Sequence, residues 1–122
     1  MARTSAQRLG DCGEECALRH FERLGFALVE RNWRGPGGEI DLVLADRSLT
    51  VFAEVKARRS GGLDPLFALT REKRRRMRSL AAAWLAAHPQ RPRTPRLRID
   101  AVAVVLDRDD RLVALEHHED VA

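Results

Sequence analysis

Three acidic side chains and a lysine interrupt two neighbouring apolar runs of the sequence. Glu39 and Asp41 lie two residues apart in the first run, and Glu54 and Lys56 lie two residues apart in the second. The short polar segment 46–48 separates the runs, a pattern typical of an antiparallel hairpin. Because side chains two apart along a strand share a face, each pair is expected to project together. The hairpin therefore predicts a place where three carboxylates and an ammonium converge. Charged groups that are buried on a sheet are usually paired with one another, bound to a metal or involved in a reaction.

A carboxylate pair with a neighbouring lysine suits hydrolysis that is assisted by a hard divalent cation. Mg²⁺ prefers oxygen ligands and keeps several waters, so one or two acids and a substrate phosphate suffice to bind it. Asp41 and Glu54 fit the role of metal ligands, and the backbone carbonyl of Val55 is a further donor. Lys56 is expected on the same strand face as Glu54, where an ammonium stabilises charge on a scissile phosphate or lowers the cost of forming hydroxide.

The same residues are also compatible with a purely structural role. Opposite charges that face each other across two strands form a ladder of ion pairs, each contributing about 0.2 to 1 kcal/mol. From the spacing alone, the metal site and the ladder are equally compatible with the sequence.

The elements around the hairpin follow from the spacing of apolar residues. Residues 5–24 place apolar or small side chains at intervals of three and four, which predicts an amphipathic helix ending at Gly25. A second helical region is predicted at 64–88, with a break near Thr70, whose hydroxyl can cap a new helix. The glycine-rich segment 35–38 is predicted to be a loop. The predicted strands are 26–31, 38–45, 49–57, 97–107 and 112–117.

This order of elements, α-β-β-β-α-β-β, predicts an α/β fold in a single domain spanning residues 1–122. A strand, a long helix and a second strand imply a right-handed parallel crossover, whereas short turns imply antiparallel neighbours. We therefore expect a mixed central sheet flanked by helices. The fourth predicted strand is apolar throughout 101–106 and is expected in the middle of the sheet, covered on both faces.

The charge of the chain favours a polyanionic partner. Lys and Arg together number 22 against 18 acidic residues, a net charge of +4, and arginines concentrate in 71–78 and 91–98. This distribution suits nucleic acid, most simply DNA, with contacts expected from Arg58, Lys73 and Arg74. A solvated helix face is the alternative for the arginine block.

Cysteine usage and hydropathy indicate a soluble cytoplasmic protein. Cys12 and Cys16 lie four apart in the first predicted helix, without a further Cys or a nearby His to complete a zinc site. We expect them to be reduced thiols on the flank of the helix. The sequence begins without a signal peptide, and its apolar runs fall short of the roughly 20 residues that cross a bilayer. No membrane association is expected.

Two other pairs of residues are assigned to the structure rather than to a site. His117 and His118 are adjacent on a strand and so point to opposite faces, which favours a surface or edge role over a metal pair. Trp33 and Trp84 are predicted to pack in the core or a loop, because no other aromatic residues interleave with the basic ones.

Asp41, followed after twelve residues by Glu54-Val55-Lys56, resembles the PD-(D/E)xK arrangement of restriction-endonuclease-like nucleases. The resemblance covers nearly the whole chain and extends to the YraN family of bacterial proteins, which is grouped by fold and motif with archaeal Holliday-junction resolvases. The positions that carry it are Gly10, Gly13, Glu14, Ala17, Gly25, Phe26, Arg31, Asn32, 38–43, 51–56, Arg58, Lys73 and 98–100.

The resemblance implies a restriction-endonuclease-like fold and a Mg²⁺-dependent or Mn²⁺-dependent endonuclease acting on DNA, including branched or structured DNA. It implies that Glu14 is an auxiliary acid from the first helix, that Asp41 and Glu54 are metal ligands, and that Lys56 is the catalytic lysine. It assigns no role to Glu39. A homodimer is expected, because cutting both strands of a junction needs two sites.

Two further hypotheses stay open at this point. One is a noncatalytic nucleic-acid-binding module of the same fold, and the other is a structural or partner-binding protein in which the acids only pair. Ala53 and Ile99 depart from the larger or aromatic residues usual in the family, and both are changes in the core.

Overall fold

A computed structural model describes residues 2–62 and 68–122 of the chain. The predicted order α-β-β-β-α-β-β is confirmed. The part of the predicted second helix that falls on 64–67 lies outside the described residues, and Thr70 is the N-cap of the helix that follows, with its side chain accepting from the backbone N–H of Lys73. The elements are α1 (Ser5–Arg23), β1 (Ala27–Gly35), β2 (Gly38–Ala45), β3 (Leu49–Arg59), α2 (Arg71–Ala87), β4 (Arg96–Leu106) and β5 (Leu112–His118).

The five strands form one mixed sheet in the order β1-β2-β3-β4-β5. Three neighbouring pairs are antiparallel, whereas β3 and β4 run parallel and are connected through α2. The expected parallel crossover is therefore confirmed. β4 lies between β3 and β5, and its side chains from Ile99 to Leu106 are buried, as the continuous apolar run predicts.

The predicted loop at 35–38 is instead a two-residue turn inside a continuous hairpin, so β1 is longer than expected. Gly35 and Gly38 are paired across β1 and β2, which leaves only Pro36 and Gly37 to turn the chain. Gly37 has φ +79°, a conformation that favours glycine. The indole of Trp33 lies over Gly35, where a Cβ would be 2.3 Å from the ring. The glycines thus tighten the hairpin rather than loosen it.

One helix covers each face of the sheet. On the first face, α1 buries Ala17 and Phe21 against side chains of β2, β3 and β4. On the second face, α2 buries Met77, Leu80 and Trp84 against Val43, Phe52 and Ile99. The two tryptophans pack with this second cluster, as predicted. Neither α1 nor α2 combines the length and the hydropathy that crossing a bilayer would need.

The contact between α1 and β3 depends on a glycine. A Cβ on Gly13 would lie 2.6 Å from the Cβ of Ala57, which real Cβ atoms essentially never allow. We expect Gly13→Ala to lower the free energy of unfolding by about 1 to 3 kcal/mol, because overpacking outweighs the gain in helix propensity of about 1 kcal/mol. Urea unfolding measures the effect. Gly10→Ala is the matched control, since a Cβ there meets nothing within 4 Å. Equal stability of the two variants would contradict the prediction.

Candidate metal centre

The candidate site lies where β2 and β3 stop pairing. Their ladder runs from Ala45 opposite Thr50 to Leu42 opposite Ala53. One residue further on, the Oδ2 atom of Asp41 accepts a hydrogen bond from the backbone N–H of Val55 at 2.7 Å. A side chain thus takes the place of the strand backbone, and the two strands diverge. Because the N–H and C=O of one strand residue point to the same side, the Val55 carbonyl faces the same gap.

An asparagine of β1 in a left-handed conformation, Asn32, lies beside the same point. The pairs Arg31 with Leu42 and Trp33 with Ile40 flank it, so Asn32 lies opposite Asp41. Asn32 has φ +56°, in the left-handed region that asparagine tolerates better than most residues.

The side-chain alternation of β2 is broken at Asp41. Ile40 and Val43 both pack on the α2 face, although they are an odd number of residues apart, while Leu42 packs on the α1 face. Strict alternation would put Ile40 and Val43 on opposite faces.

Three carboxylates converge at this break. The side chains of Glu14 in α1 and of Glu39 and Asp41 in β2 each present an oxygen within 4.8 Å of the others. We call these residues the carboxylate cluster. The structure thus brings Glu14 to Asp41, and it joins to them Glu39, whose role the sequence left open. Carboxylate oxygens are the donors that hard divalent cations bind, and of these three acids Glu39 is exposed while Glu14 and Asp41 are half-buried.

Burial disfavours the charged forms of two acids of the cluster. Burial raises the pKa of Asp41 from 3.8 to about 7; the Val55 N–H opposes this shift, and the charges of Glu14 and Glu54 add to it. Burial likewise raises the pKa of Glu14, opposed first by the charge of Arg31. Carboxyl groups with such shifts in a cleft are typical of functional sites.

Glu54 approaches Asp41 from β3. Both line a cavity of about 390 Å³ between the sheet and α2, together with Val55 and Arg76. The Oε1 atom of Glu54 lies 4.0 Å from a guanidinium nitrogen of Arg76, and its Oε2 atom is buried without a partner among the described residues. Asp41 therefore belongs both to the carboxylate cluster and to this cavity, which we call the Glu54 cavity.

Lys56 lies on the same face of β3 as Glu54 and is exposed. Phe52 faces the α2 cluster and Val55 faces the α1 cluster, so the alternation of β3 puts Glu54 and Lys56 together, as expected. Lys56 is not among the residues that line the Glu54 cavity.

The three basic residues predicted to bind nucleic acid differ in their surroundings. Arg58 is half-buried, and its Nη1 donates to the backbone carbonyls of Arg59 at 3.2 Å and Gly62 at 3.1 Å. Lys73 is half-buried in the first turn of α2, and Arg74 is exposed beside it. The arginine of α2 that reaches the Glu54 cavity is Arg76, one turn beyond Lys73, and sequence reasoning did not single it out.

His117 is half-buried at the expected edge of the sheet, which corrects only the surface alternative. It does lie in the edge strand β5, but its side chain is only 10% exposed and faces α1. Its Nε2 is 2.7 Å from Oδ2 of the fully buried Asp100, and its Nδ1 is 2.9 Å from Nε2 of His20. His118 is exposed, as predicted. Both cysteines are free thiols in α1 and are half-buried.

The fold and the site together define a small mixed α/β protein with an acidic candidate metal centre at a strand divergence. The chain belongs to the uncharacterised protein family UPF0102, whose model matches residues 13–104 and so includes Glu14, Asp41, Glu54 and Lys56. This confirms the resemblance to the YraN family, which is the same family.

Relatives of similar length share this assignment. A UPF0102 protein of Clavibacter michiganensis subsp. michiganensis is 50% identical over 106 residues, covering 86% of this chain and 88% of its own. One of Corynebacterium efficiens is 40% identical over 120 residues, covering 98% and 95%. One of Renibacterium salmoninarum is 48% identical over 110 residues, covering 89% and 91%. The similarity therefore extends along almost the whole chain.

Proposed function

We propose that the protein is a metal-dependent endonuclease that hydrolyses phosphodiester bonds of DNA with Mg²⁺ or Mn²⁺. The observation that carries the proposal is the position of Asp41. It lies at the divergence of β2 and β3, within 4.8 Å of two other carboxylates, and it shares a cavity with Glu54. Glu14 and Asp41 are half-buried although Glu39 is exposed, and partly buried carboxylates are costly unless they are paired or bind a cation.

The donor set fits a hard cation. Asp41, Glu54 and the Val55 carbonyl would hold it, and Glu14 and Glu39 add negative charge beside it. All these donors are oxygens, as Mg²⁺ and Mn²⁺ prefer. When bound, such an ion supplies Lewis-acid stabilisation of phosphate charge and makes water more acidic.

The basic residues around the site supply the remaining parts of the reaction. The Lys56 ammonium, on the Glu54 face of β3, stabilises negative charge that develops on the phosphate and orients the attacking water. Arg76 reaches the Glu54 cavity and is placed to bind a phosphate oxygen. Exposed arginines of α2 extend this positive surface toward the flanking DNA backbone. These are Arg71, Arg74, Arg75 and Arg78.

The same chemistry extends to branched or structured DNA. One chain carries one such site among its described residues, so symmetric cutting of two strands requires a second copy of the chain. We propose a homodimer on such substrates.

The test is cleavage of supercoiled, linear, single-stranded and four-way-junction DNA in the presence of Mg²⁺, Mn²⁺ or a chelator. We expect cleavage with either metal and none with the chelator. Glu54→Gln and Lys56→Ala should each lower kcat by a factor of about 10² to 10³. Lys73→Ala is the matched lysine control, and it should raise KM while leaving kcat close to the wild-type value.

A specific observation keeps the noncatalytic module as a second candidate. Lys56 lies outside the lining of the Glu54 cavity, and Arg76 already provides a positive charge near Glu54. DNA binding that falls steeply with salt, without metal-dependent cutting of any substrate, would favour this module. Cutting that survives Lys56→Ala would remove the proposed role of the lysine.

A further inference from the structure

Arg31 connects β1 to the helix that carries Glu14. Its Nε donates to Oε1 of Glu14 at 3.4 Å, its Nη1 donates to Oε2 of Glu15 at 3.0 Å, and its Nη2 donates to the backbone carbonyl of Asp11 at 3.2 Å. Residues 11, 14 and 15 are spaced three and four apart, so they share one side of α1. A single guanidinium thus holds one side of the helix against the strand.

The contact with Arg31 stabilises the position of Glu14 in the carboxylate cluster. Glu14 is only 12% exposed at its side chain, and it lies within 4.8 Å of two other acids that come from a different element. Repulsion and desolvation both favour a rotamer that swings such a carboxylate out to water. The Arg31 charge opposes that movement, and the planar guanidinium fixes a direction as well as supplying a charge.

The contacts of Arg31 hold its guanidinium to one side of the carboxylate cluster, so it does not take the place of a cation there. Two of its three contacts are to Glu15 and to the Asp11 carbonyl, which are groups outside the carboxylate cluster. The guanidinium is therefore anchored on the helix side of Glu14. The neighbouring Asn32 lies opposite Asp41 across β1 and β2, so one dipeptide of β1 adjoins both acids.

We infer that Arg31 is a positioning residue of the metal centre, which holds the Glu14 carboxylate beside Asp41 and Glu39 and so sets the affinity for the divalent cation. The inference rests on the proposed function for the presence of that cation. It assigns a role to the Arg31-Asn32 dipeptide, which the resemblance singled out without giving it one. Arg31 itself touches neither the cation nor the substrate.

The test is the Kd for Mn²⁺, measured from the electron paramagnetic resonance signal of free Mn²⁺, without DNA. We expect Arg31→Ala to raise the Kd by a factor of about 10, the lower end of the range for groups outside the ligand set, because Arg31 acts through Glu14, whose charge lies beside the cation rather than binding it. Arg31→Lys keeps the charge but loses the planar fork, so its Kd should lie between those of the wild type and Arg31→Ala. This partial rescue is not expected if Arg31 only packs.

Two variants of the same helix serve as matched controls. Glu15→Gln removes the negative charge from the 3.0 Å contact of Arg31 with residue 15 but leaves Glu14 in place, and Arg19→Ala removes the 3.2 Å pair of Arg19 with Glu15. Both should leave the Kd within about twofold of the wild type, because exposed ion pairs contribute little. Urea unfolding in chelator establishes that each variant is folded. If Arg31→Ala does not fold, the Kd of Arg31→Lys is compared with that of the wild type instead.

The outcomes separate this inference from the proposed function. An unchanged Kd in Arg31→Ala, an equal loss in Glu15→Gln, or no recovery in Arg31→Lys would overturn the role of Arg31. A wild type that binds no Mn²⁺ would overturn both. A wild type that binds Mn²⁺ but cuts no DNA would overturn the endonuclease and leave the role of Arg31 supported by its own measurement.

Discussion

In metal-free buffer at pH 8, Asp41→Asn is expected to raise the free energy of unfolding by about 1 to 3 kcal/mol. Burial raises the pKa of Asp41 from 3.8 to about 7. Between these two values the folded protein holds a proton that the unfolded chain has released. The stability that this proton provides is complete below the unfolded pKa and is lost as the pH rises through the folded one. An asparagine has no charge to bury, so the variant avoids the loss.

The expected change in the free energy of unfolding is smaller than the free energy that corresponds to the full pKa shift of Asp41. A shift from 3.8 to about 7 corresponds to about 4 kcal/mol. Asp41 is half-buried and titrates beside Glu14 and Glu54, so water and the neighbouring acids take up part of this energy. The hydrogen bond from Val55 is retained, because the amide oxygen of asparagine accepts from the same N–H.

Mg²⁺ should reverse the order of stability. A ligand that binds only the folded state adds about 2.7 kcal/mol at a hundred times its Kd and about 4.1 kcal/mol at a thousand times, so the higher ratio outweighs a difference of about 1 to 3 kcal/mol. The wild type should gain this stabilisation and Asp41→Asn should lose most of it. Urea unfolding at pH 5 and pH 8, with chelator and with Mg²⁺, measures all four conditions.

The matched control is Glu22→Gln, which neutralises an exposed acid on α1. It should change neither the pH dependence nor the response to Mg²⁺. Equal stabilisation of the wild type and Asp41→Asn by Mg²⁺ would contradict a cation site at Asp41. The difference in the free energy of unfolding between Asp41→Asn and the wild type should be larger at pH 8 than at pH 5. An equal difference at the two pH values would contradict the raised pKa of Asp41.

The order of the strands and helices was predictable because each element carries its own pattern. The apolar repeat of α1 predicts residues 5–24, and the helix observed is Ser5–Arg23. The parallel pairing of β3 with β4 follows from a long helix between two strands. The largest error concerned β1, which ends at Gly35 rather than at residue 31. Glycines that pack closely in a hairpin have the same composition as glycines in a loop, so the sequence does not distinguish them.

Part of the candidate metal centre was predictable, because the spacing of residues along a strand determines which side chains share a face. The spacing of Glu39 and Asp41, and of Glu54 and Lys56, follows from the sequence alone. The structure brings Glu39 and Asp41 into one cluster but leaves Lys56 outside the lining of the Glu54 cavity. The contacts of Arg31 and Arg76 depend on how α1 and α2 cross the sheet. Such crossing geometry is set by packing, which a periodic pattern does not encode.

A second polar cluster escaped sequence reasoning altogether. It connects Asp100 in β4, His117 in β5 and His20 in α1, and His20 and His117 are separated by 97 residues. The adjacent pair of histidines in the sequence suggested only that they face opposite sides. The exposure of His118 was predicted correctly. The partner of His117 was not, because the sequence does not show that Asp100 of β4 is buried beside it.

The last prediction concerns this buried acid. Asp100 is fully buried, yet its carboxylate is well satisfied. Arg98 donates to it through Nε and Nη2, both at 2.8 Å, and the backbone N–H of Asp120 donates at 3.1 Å. His117 lies 2.7 Å from the same carboxylate. The group therefore connects β4, β5 and the segment after β5 through one charge.

Asp100→Ala is expected to lower the free energy of unfolding by about 3 to 5 kcal/mol, because it leaves a nearly buried guanidinium without its anion. Arg98 is only 14% exposed and cannot recover its hydration in place. Glu119→Gln is the control, because it removes the charge of an exposed acid 3.5 Å from Arg98 and should cost less than about 1 kcal/mol. In the double variant Arg98→Ala with Asp100→Ala, the loss should be smaller than the sum of the two single losses. Additive losses in urea unfolding would show that the pair is not coupled, and the stability of this end of the sheet would then come from apolar packing of β4 alone.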